Sequence, residues 1–180
     1  GSIRYNSTTK NFEGCNGTTW FSLTSNLVIP AMTSNSSPAP YAITYSCADA
    51  PHPGYRAFDN DTTTIWSAGG TCGSVTSGTL TIDLGSSSQY TSYSIQARGD
   101  APSTAPSNWT IQGSNDNSNW VILDTRSSQS GWTNSGSLAT GEKRTFILNN
   151  FGLYRFYKLN ISANNGHCCE MDIVEVDFSP

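Results

Sequence analysis

The fold is decided by residues 78–97, which read GTLTIDLGSSSQYTSYSIQA. Apolar side chains alternate with polar ones in two parts of this stretch, first Leu80, Ile82 and Leu84, then Tyr93, Ile95 and Ala97. A period of two places alternate side chains on opposite faces of a β-strand. The pattern therefore predicts two strands, Gly78–Leu84 and Tyr93–Ala97, that each bury one face.

Similar runs follow further along the chain. Five segments rich in β-branched and aromatic residues are bounded by turn residues: Trp109–Gly113, Trp120–Leu123, Arg144–Leu148, Tyr154–Ile161 and Met171–Phe178. Between the first two, residues 114–119 read SNDNSN and predict a tight polar turn. No stretch combines a helical period with helix caps. The sequence therefore predicts an all-β fold, an antiparallel β-sandwich or jelly roll.

The composition narrows the classes of partner. The chain has 180 residues, of which 36% are hydrophobic and only 12% are charged, with a net charge of −4. Binding to nucleic acid or to an anionic membrane needs a basic patch, which this balance does not favour. Ser, Thr, Asn and Gly fill the predicted surface, as in many extracellular β-proteins. We therefore expect a secreted or surface-exposed protein, on a cell or a virion.

The five cysteines support the same location. Their spacing contains no CxxC pair, which disfavours a zinc site or thioredoxin-type chemistry. Two disulfides among Cys47, Cys72, Cys168 and Cys169 are expected instead, with Cys15 left free or joining two chains. A ring between the adjacent Cys168 and Cys169 is geometrically strained, so each is expected to reach another loop.

Residues 1–29 differ from the rest of the chain. They contain two short β-like runs, Ile3–Tyr5 and Thr18–Leu23, and the hairpin signal Asn16-Gly17. The IRYN and NGTTW motifs resemble segments of trimeric fibre and stalk proteins, which implies a homotrimer through this segment. The alternative is a hairpin that packs on the main domain. Residues 30–40 are predicted to be a linker, and residues 41–180 the sandwich.

The order of the motifs in the main domain carries a second resemblance. The chain presents AFDNDTTTIW (57–66), GTLTIDLG (78–85), YSIQARGD (93–100), YRFYKLNISANNG (154–166) and DIVEVDF (172–178). In this order the motifs are similar to those of a discoidin domain, the galactose-binding-like jelly roll of coagulation-factor C domains and family 32 carbohydrate-binding modules. The resemblance covers about residues 41–178 and implies the same fold.

The segment Arg56–Trp66 is a candidate cation site. Asp and Thr oxygens at this spacing suit calcium, and the alternative is an Asx-rich turn without an ion. The resemblance implies a structural Ca²⁺ held by Arg56, Asp59, Asp61, Thr64, Val174 and Glu175. Of these, Asp59, Thr64 and Glu175 would contribute side chains, Thr64 would add its carbonyl, and the others would contribute carbonyls only. Because every ligand comes from the protein, we expect a structural ion without a catalytic role.

The resemblance also implies a sugar pocket in the loops beside this ion. Arg98 stands where sugar-binding relatives have an arginine, and its fork could bind two neighbouring hydroxyls while Asp100 fixes it. The alternative is a pair, Arg98–Asp100, that only holds a loop. The remaining candidates for ligand contacts are His52, Tyr55, Ser67, Asn165 and His167, with Trp132 as a second aromatic. Ser67 replaces the histidine of many galactose binders, which puts galactose itself in doubt.

No motif of a hydrolase, metalloprotease or P-loop enzyme occurs, so an enzyme is not expected. The sequence favours a non-catalytic glycan-binding module, the receptor-binding head of a trimeric fibre or a surface adhesin. One alternative is a discoidin domain that binds protein or lipid, although the 98–107 loop offers only alanines and prolines for membrane insertion. The other is a structural cap or trimerisation unit without a ligand.

Overall fold

The computed structural model describes residues 1–7, 11–15, 17–18, 20–22 and 28–180. Three strands lie in the N-terminal segment: β1 (Ser2–Asn6), β2 (Asn11–Cys15) and β3 (Trp20–Ser22). Ten follow: β4 (Ala42–Tyr45), β5 (Trp66–Ser67), β6 (Gly78–Ser88), β7 (Ser92–Gln96), β8 (Pro106–Ser114), β9 (Val121–Arg126), β10 (Lys143–Ile147), β11 (Tyr154–Asn164), β12 (Asp172–Ile173) and β13 (Glu175–Ser179). Short 3₁₀ turns occupy Gly54–Phe58, Gly70–Cys72, Pro102–Thr104 and Leu138–Thr140. Within the described residues, no helix is long and apolar enough to cross a membrane.

Two antiparallel sheets form the sandwich. One has five strands in the order β4-β6-β11-β8-β9, the other has three in the order β10-β7-β13, and β12 pairs with β5 as a short ribbon. The expected all-β antiparallel sandwich is therefore confirmed. The predicted run Met171–Phe178 is divided at Val174, because the chain there stops pairing with β5 and begins to pair with β7.

The core lies between the two sheets. Leu80, Ile82 and Leu84 are buried, as the alternation in residues 78–97 predicts. They join side chains of the opposite sheet, among them Tyr93, Ile95, Val176 and Phe178, in one apolar cluster. Removing these side chains from water supplies the main driving force for pairing the sheets.

A buried chain of hydrogen bonds crosses this core. Trp109 on β8 donates its indole N–H to the hydroxyl of Tyr93 on β7, at 2.8 Å. Tyr93 in turn donates to Asp124 Oδ2 on β9, at 2.7 Å. Arg126 and Asn149 donate to the same carboxylate, so its charge is satisfied inside the protein. These bonds fix the position of the three-stranded sheet on the five-stranded one.

The N-terminal strands form a separate small sheet in the order β1-β2-β3. The predicted hairpin is thus part of a three-stranded sheet, although Asn16 of its turn lies outside the described residues. The strand β2 was not predicted, because its sequence NFEGC shows no alternation of apolar residues. Ile3, Tyr5 and Phe12 lie on one face of the sheet and are more than half exposed.

Residues 28–40 run along the sandwich. Met32 is buried in the core cluster, and its N–H donates to the carbonyl of Phe58 at 2.8 Å. Ile29 packs against the same cluster, and Ile43 N–H donates to Asn35 O at 2.7 Å. The boundaries predicted at residues 29 and 40 stay predictions.

The disulfides differ from the expected pairing. Cys47 bonds to Cys72, and Cys168 bonds to its neighbour Cys169. The expectation that Cys168 and Cys169 each reach another loop is therefore wrong. A turn accounts for the pairing, because the N–H groups of Cys169 and Glu170 both donate to Nδ1 of His167 and fold the chain around it. Cys15 is a free, half-buried thiol.

Candidate functional site

Loops at one end of the sandwich carry the candidate residues. The 167–171 loop is bonded to two of these loops through main-chain groups. His167 N–H donates to Ser103 O, and Val75 N–H donates to Cys169 O, each at 3.3 Å. Ala68 N–H donates to Met171 O at 2.9 Å, just before β12 pairs with β5. This end, which we call the loop end, is therefore a connected surface rather than a set of independent loops.

The segment from Asp59 to Thr64 folds into a compact turn at the loop end. The Thr64 hydroxyl donates to Asp59 Oδ2 at 2.8 Å and also lies 3.2 Å from the carbonyl of Asp61. The Asp61 carboxylate faces elsewhere, because it accepts bonds from the N–H and hydroxyl of Thr63. The turn therefore gathers the Asp59 carboxylate, the Asp61 carbonyl and the Thr64 hydroxyl, which are the groups that the sequence predicted.

Glu175 approaches this turn from the last strand. Its side chain is buried, and neither carboxylate oxygen has a hydrogen-bond partner. Burial, together with the neighbouring carboxylates of Asp59 and Asp177, raises the pKa of Glu175 to about 9 and so favours the protonated form. A buried carboxylate without a partner is costly, and a cation beside it removes that cost.

The donor set fits calcium. Two carboxylates, a hydroxyl and main-chain carbonyls are hard oxygen ligands of the kind that Ca²⁺ takes. No cluster of three or more His, Cys, Asp or Glu side chains occurs in the described part of the chain. The carbonyls assigned to Arg56 and Val174 belong to the same two segments. The residues present would therefore complete a mixed site of side-chain and main-chain oxygens.

Arg98 is held between two carboxylates. Its Nε and Nη2 donate to the two oxygens of Asp100, each at 3.0 Å, and its Nη1 donates to Asp172 Oδ2 at 2.9 Å. The hydrogen bonds to Asp100 raise the pKa of Arg98, and Arg98 lowers the pKa of Asp100. These three bonds leave two of the five guanidinium N–H donors for a ligand. Arg98 therefore holds the loop in position. Because 21% of its side chain is exposed, it also presents fixed N–H donors to solvent.

Ser67, His52 and Tyr55 offer less to a ligand than Arg98 does. Ser67 is buried on β5 opposite Asp172, and its N–H donates to His52 O at 3.3 Å. The His52 ring is half-buried and lies 3.4 Å from a guanidinium nitrogen of Arg56. Tyr55 packs against the core cluster and is half-buried.

Asn165 and His167 form a second part of the loop end, beside Ser103. The Asn165 amide donates to the carbonyls of Ala105 and Pro106, each at 3.1 Å. Asn165 lines a shallow cleft of about 190 Å³ together with Pro102, Ser103, Gly131 and Trp132. Trp132 does not provide an exposed stacking face, because its ring is buried with the Arg144 guanidinium 4.1 Å above it.

Two features of the loop end were missed in the sequence. Asp172 is fully buried, holds Arg98 through one oxygen and leaves the other without a partner. Its pairing with Arg98 joins residues 74 positions apart, which no local pattern shows. The Cys168–Cys169 ring was rejected on geometric grounds, although the adjacent cysteines themselves were a visible signal.

Comparisons with known proteins agree with this architecture. The sequence model of NedA-like, galactose-binding domains matches residues 56–146, just over half of the chain. This range begins at the calcium-site candidate Arg56 and includes Arg98 and Asp100. No curated protein sequence matches the chain.

Solved structures share the fold at low sequence identity. The module CpGH89CBM32-5 of Clostridium perfringens, solved with GalNAc-β-1,3-galactose, has a TM-score of 0.63 at 15% identity, over 78% of this chain and 95% of that chain. The family 32 module of C. perfringens NanJ, solved with galactose, has a TM-score of 0.62 at 14% identity, over 78% and 93%. Chitosan-binding module 2 of a Paenibacillus sp. IK-5 chitosanase/glucanase, solved with chitotriose, has a TM-score of 0.60 at 18% identity, over 77% and 95%. The chain therefore belongs to the family of NedA-like, galactose-binding domains, and it has their discoidin-like jelly-roll fold.

Proposed function

We propose that this protein is a non-catalytic glycan-binding module that acts outside the cell. The observation that carries the proposal is Arg98, which two carboxylates hold rigidly at the loop end with two N–H donors still available. A fixed guanidinium suits the recognition of neighbouring hydroxyls, because little side-chain entropy is lost on binding. The similar modules solved with galactose, GalNAc-β-1,3-galactose and chitotriose support a carbohydrate as the ligand class.

The test is glycan-array binding by the whole chain in calcium. We expect binding that Arg98→Ala abolishes and that Arg155→Ala retains. Arg155 is a matched control, because it also makes a two-pronged pair with an aspartate, Asp83, but lies at the start of β11, away from the loop end. Equal binding by Arg98→Ala and the wild type would contradict the assignment of Arg98, and no binding to any glycan would contradict the function.

We further propose that a structural Ca²⁺ ties the Asp59–Thr64 turn to Glu175. The unpartnered oxygens of Glu175 and the oxygens gathered by the turn support this site. Binding of the ion to the folded state alone raises stability by mass action. Chelation is therefore expected to lower the melting temperature of the wild type and to leave that of Asp59→Ala unchanged. Equal melting temperatures of the wild type with and without chelator would count against the ion.

The proposal extends to the N-terminal segment. Residues 1–29 would join copies of the chain into a homotrimer, which places several loop ends on one fibre head or surface adhesin. The exposed apolar face of Ile3, Tyr5 and Phe12 supports such a contact, because exposed clusters of large apolar side chains mark protein–protein interaction sites. Several weak sugar sites on one assembly would bind a cell surface more strongly than one site alone.

A further inference from the structure

The Cys168–Cys169 disulfide ring is an unusual surface at the loop end. Cys168 is exposed and Cys169 is half-buried, so part of the ring faces solvent. The ring consists of two sulfurs, two methylenes and the peptide between them, and its sulfurs are polarisable and apolar. The face of a pyranose that carries only C–H groups needs an apolar contact of this kind, which a sugar site usually takes from a hydrophobic or aromatic side chain.

Large exposed apolar side chains are otherwise missing from the loop end. In the described part of the chain, five of them belong to the N-terminal segment and its exit: Ile3, Tyr5, Phe12, Trp20 and Val28. The other five are Val121, Ile122, Ile147, Phe151 and Leu153. The strand registers place this second group toward the opposite end of the sandwich, because Val121 pairs with Gly113 and Ile147 pairs with Ser92. The Cys168–Cys169 disulfide is therefore an exposed apolar element where the ligand is expected.

Hydrogen bonds hold the loop around the ring in one conformation. The Asn164 amide donates to the carbonyls of His167 and Glu170, at 3.0 and 2.6 Å. The His167 ring accepts the N–H groups of Cys169 and Glu170 at Nδ1, so in the neutral ring Nε2 carries the proton and points away from them. The exposed Ser103, whose carbonyl accepts from His167 N–H, adds a hydroxyl beside the ring. The hydrogen bonds therefore hold the ring in one conformation, and polar groups lie at its edge.

The local charge selects the class of sugar. Glu170 follows the ring directly and carries a carboxylate near its edge, whereas Arg98 is already paired with Asp100 and Asp172. Arg144 is bonded to Glu142 and to two loop carbonyls. On the ring, an acidic sugar would meet the like charge of Glu170, and these two arginines are already paired with carboxylates.

We propose that the Cys168–Cys169 ring is the platform on which an uncharged hexopyranose rests, with His167 Nε2–H and Ser103 Oγ as polar contacts at its edge. This inference rests on the glycan-binding function proposed above and specifies the contact surface and the sugar class. The intact disulfide strengthens binding in this arrangement, because two free thiols do not form the ring.

The affinities of methyl glycosides of galactose, GalNAc, glucose and GlcNAc test the platform by calorimetry. We expect Cys168→Ala/Cys169→Ala to weaken binding of the preferred uncharged sugar by about tenfold, the loss that follows from removing one apolar contact face. Leu153→Ala, which removes exposed apolar surface at the opposite end, is the matched control and should bind like the wild type. Equal affinity of the double variant would overturn the platform while leaving the glycan-binding function intact.

A measurement on the wild type covers the case in which the double variant does not fold. With ¹³C-labelled cysteine, titration of the preferred sugar should shift the Cβ signals of Cys168 and Cys169 and leave those of Cys47 and Cys72 in place. Saturable sugar binding without shifts at Cys168 and Cys169 would overturn the platform, as would binding confined to acidic sugars. A wild type that binds no sugar at all would overturn both the platform and the glycan-binding function.

Discussion

Glu175 is the residue whose state depends most directly on a bound cation. Without an ion, burial and the neighbouring Asp59 carboxylate raise its pKa to about 9, well above the ordinary value of 4.5. The folded state then keeps a proton that the unfolded chain releases, so stability is full below about pH 4.5 and falls as the pH rises toward 9. With Ca²⁺ bound, the carboxylate is ionised in both states and this loss disappears.

The variant Glu175→Gln distinguishes the protein without an ion from the protein with Ca²⁺ bound. In chelator at pH 8 the variant should melt a few degrees higher than the wild type, because the amide needs no proton whereas the Glu175 carboxyl must take one up on folding; a shift of about 2–4 °C corresponds to 1 kcal/mol for a domain of this size. In millimolar calcium the order should reverse, since the variant lacks a ligand. Melting curves from pH 5 to pH 9 measure both. A wild type whose stability in chelator does not fall over this range would contradict the assignment.

At the scale of single residues, the sequence predicted which residues supply ligand groups better than it predicted which residues contact one another. Asp59, Thr64 and Glu175 were predicted as side-chain ligands, and the structure brings their two segments together; the calcium itself stays a prediction. Asp172 was missed, because the acid that orients Arg98 lies on a distant strand and resembles the acidic residues around it. The Cys168–Cys169 pairing was not predicted, because a ring between adjacent cysteines is geometrically strained. The sequence does not show the turn that the His167 ring forms with the N–H groups of Cys169 and Glu170.

At the scale of secondary-structure elements, β7 links the two sheets through Tyr93. Its hydroxyl accepts from Trp109 and donates to Asp124, and burial raises its pKa so that it stays protonated. Tyr93→Phe leaves the buried indole N–H without a partner, and the expected cost is about 2 kcal/mol or more. Urea unfolding measures it, with Tyr157→Phe as the control.

The control loses a simpler bond. Tyr157 is also buried, but its hydroxyl donates to the main-chain carbonyl of Ser88 at 2.8 Å and does not connect the two sheets through other side chains. We expect Tyr157→Phe to cost about 1 kcal/mol. If Tyr93→Phe costs no more than this control, the hydrogen-bond chain does not hold the sheets in position.

The strands were predictable because most of them bury one face, which imposes a period of two on the sequence. The exceptions show where that signal fails. The short strand β5 contains only Trp66 and Ser67, both buried, so it shows no alternation. The run Met171–Phe178 looked continuous because its residues are almost all buried, and the change of partner at Val174 leaves no mark in the sequence.

At the scale of the whole molecule, the N-terminal strands form a sheet separate from the two sheets of the sandwich. Removing residues 1–27 leaves Ile29 and Met32, which pack into or against the core cluster, so the remaining chain is expected to stay folded. We expect light scattering to give a trimer for the full chain and a monomer for the shortened one. A monomer in both cases would contradict the trimer.

A surface variant distinguishes association from a loss of folding. Tyr5 and Phe12 face each other across β1 and β2, with ring centroids 5.3 Å apart, and both are about half exposed. Tyr5→Ser/Phe12→Ser should therefore dissociate the assembly and leave the melting temperature of the sandwich unchanged. A trimer that persists in this variant would show that the exposed face is not the contact.

The pairing of β13 with β7 connects the proposed calcium site to the proposed sugar site. Glu175 pairs with Gln96, Val174 N–H donates to Gln96 O at 2.9 Å, and Arg98 follows two residues later. A cation that orders Glu175 would thus act on the strand that leads to Arg98, the arginine proposed to bind the sugar. Thermodynamic reciprocity requires that, if calcium tightens sugar binding by some factor, sugar tightens calcium binding by the same factor. Glycan capture would then be strong in calcium-rich surroundings outside cells and weak wherever calcium is withdrawn.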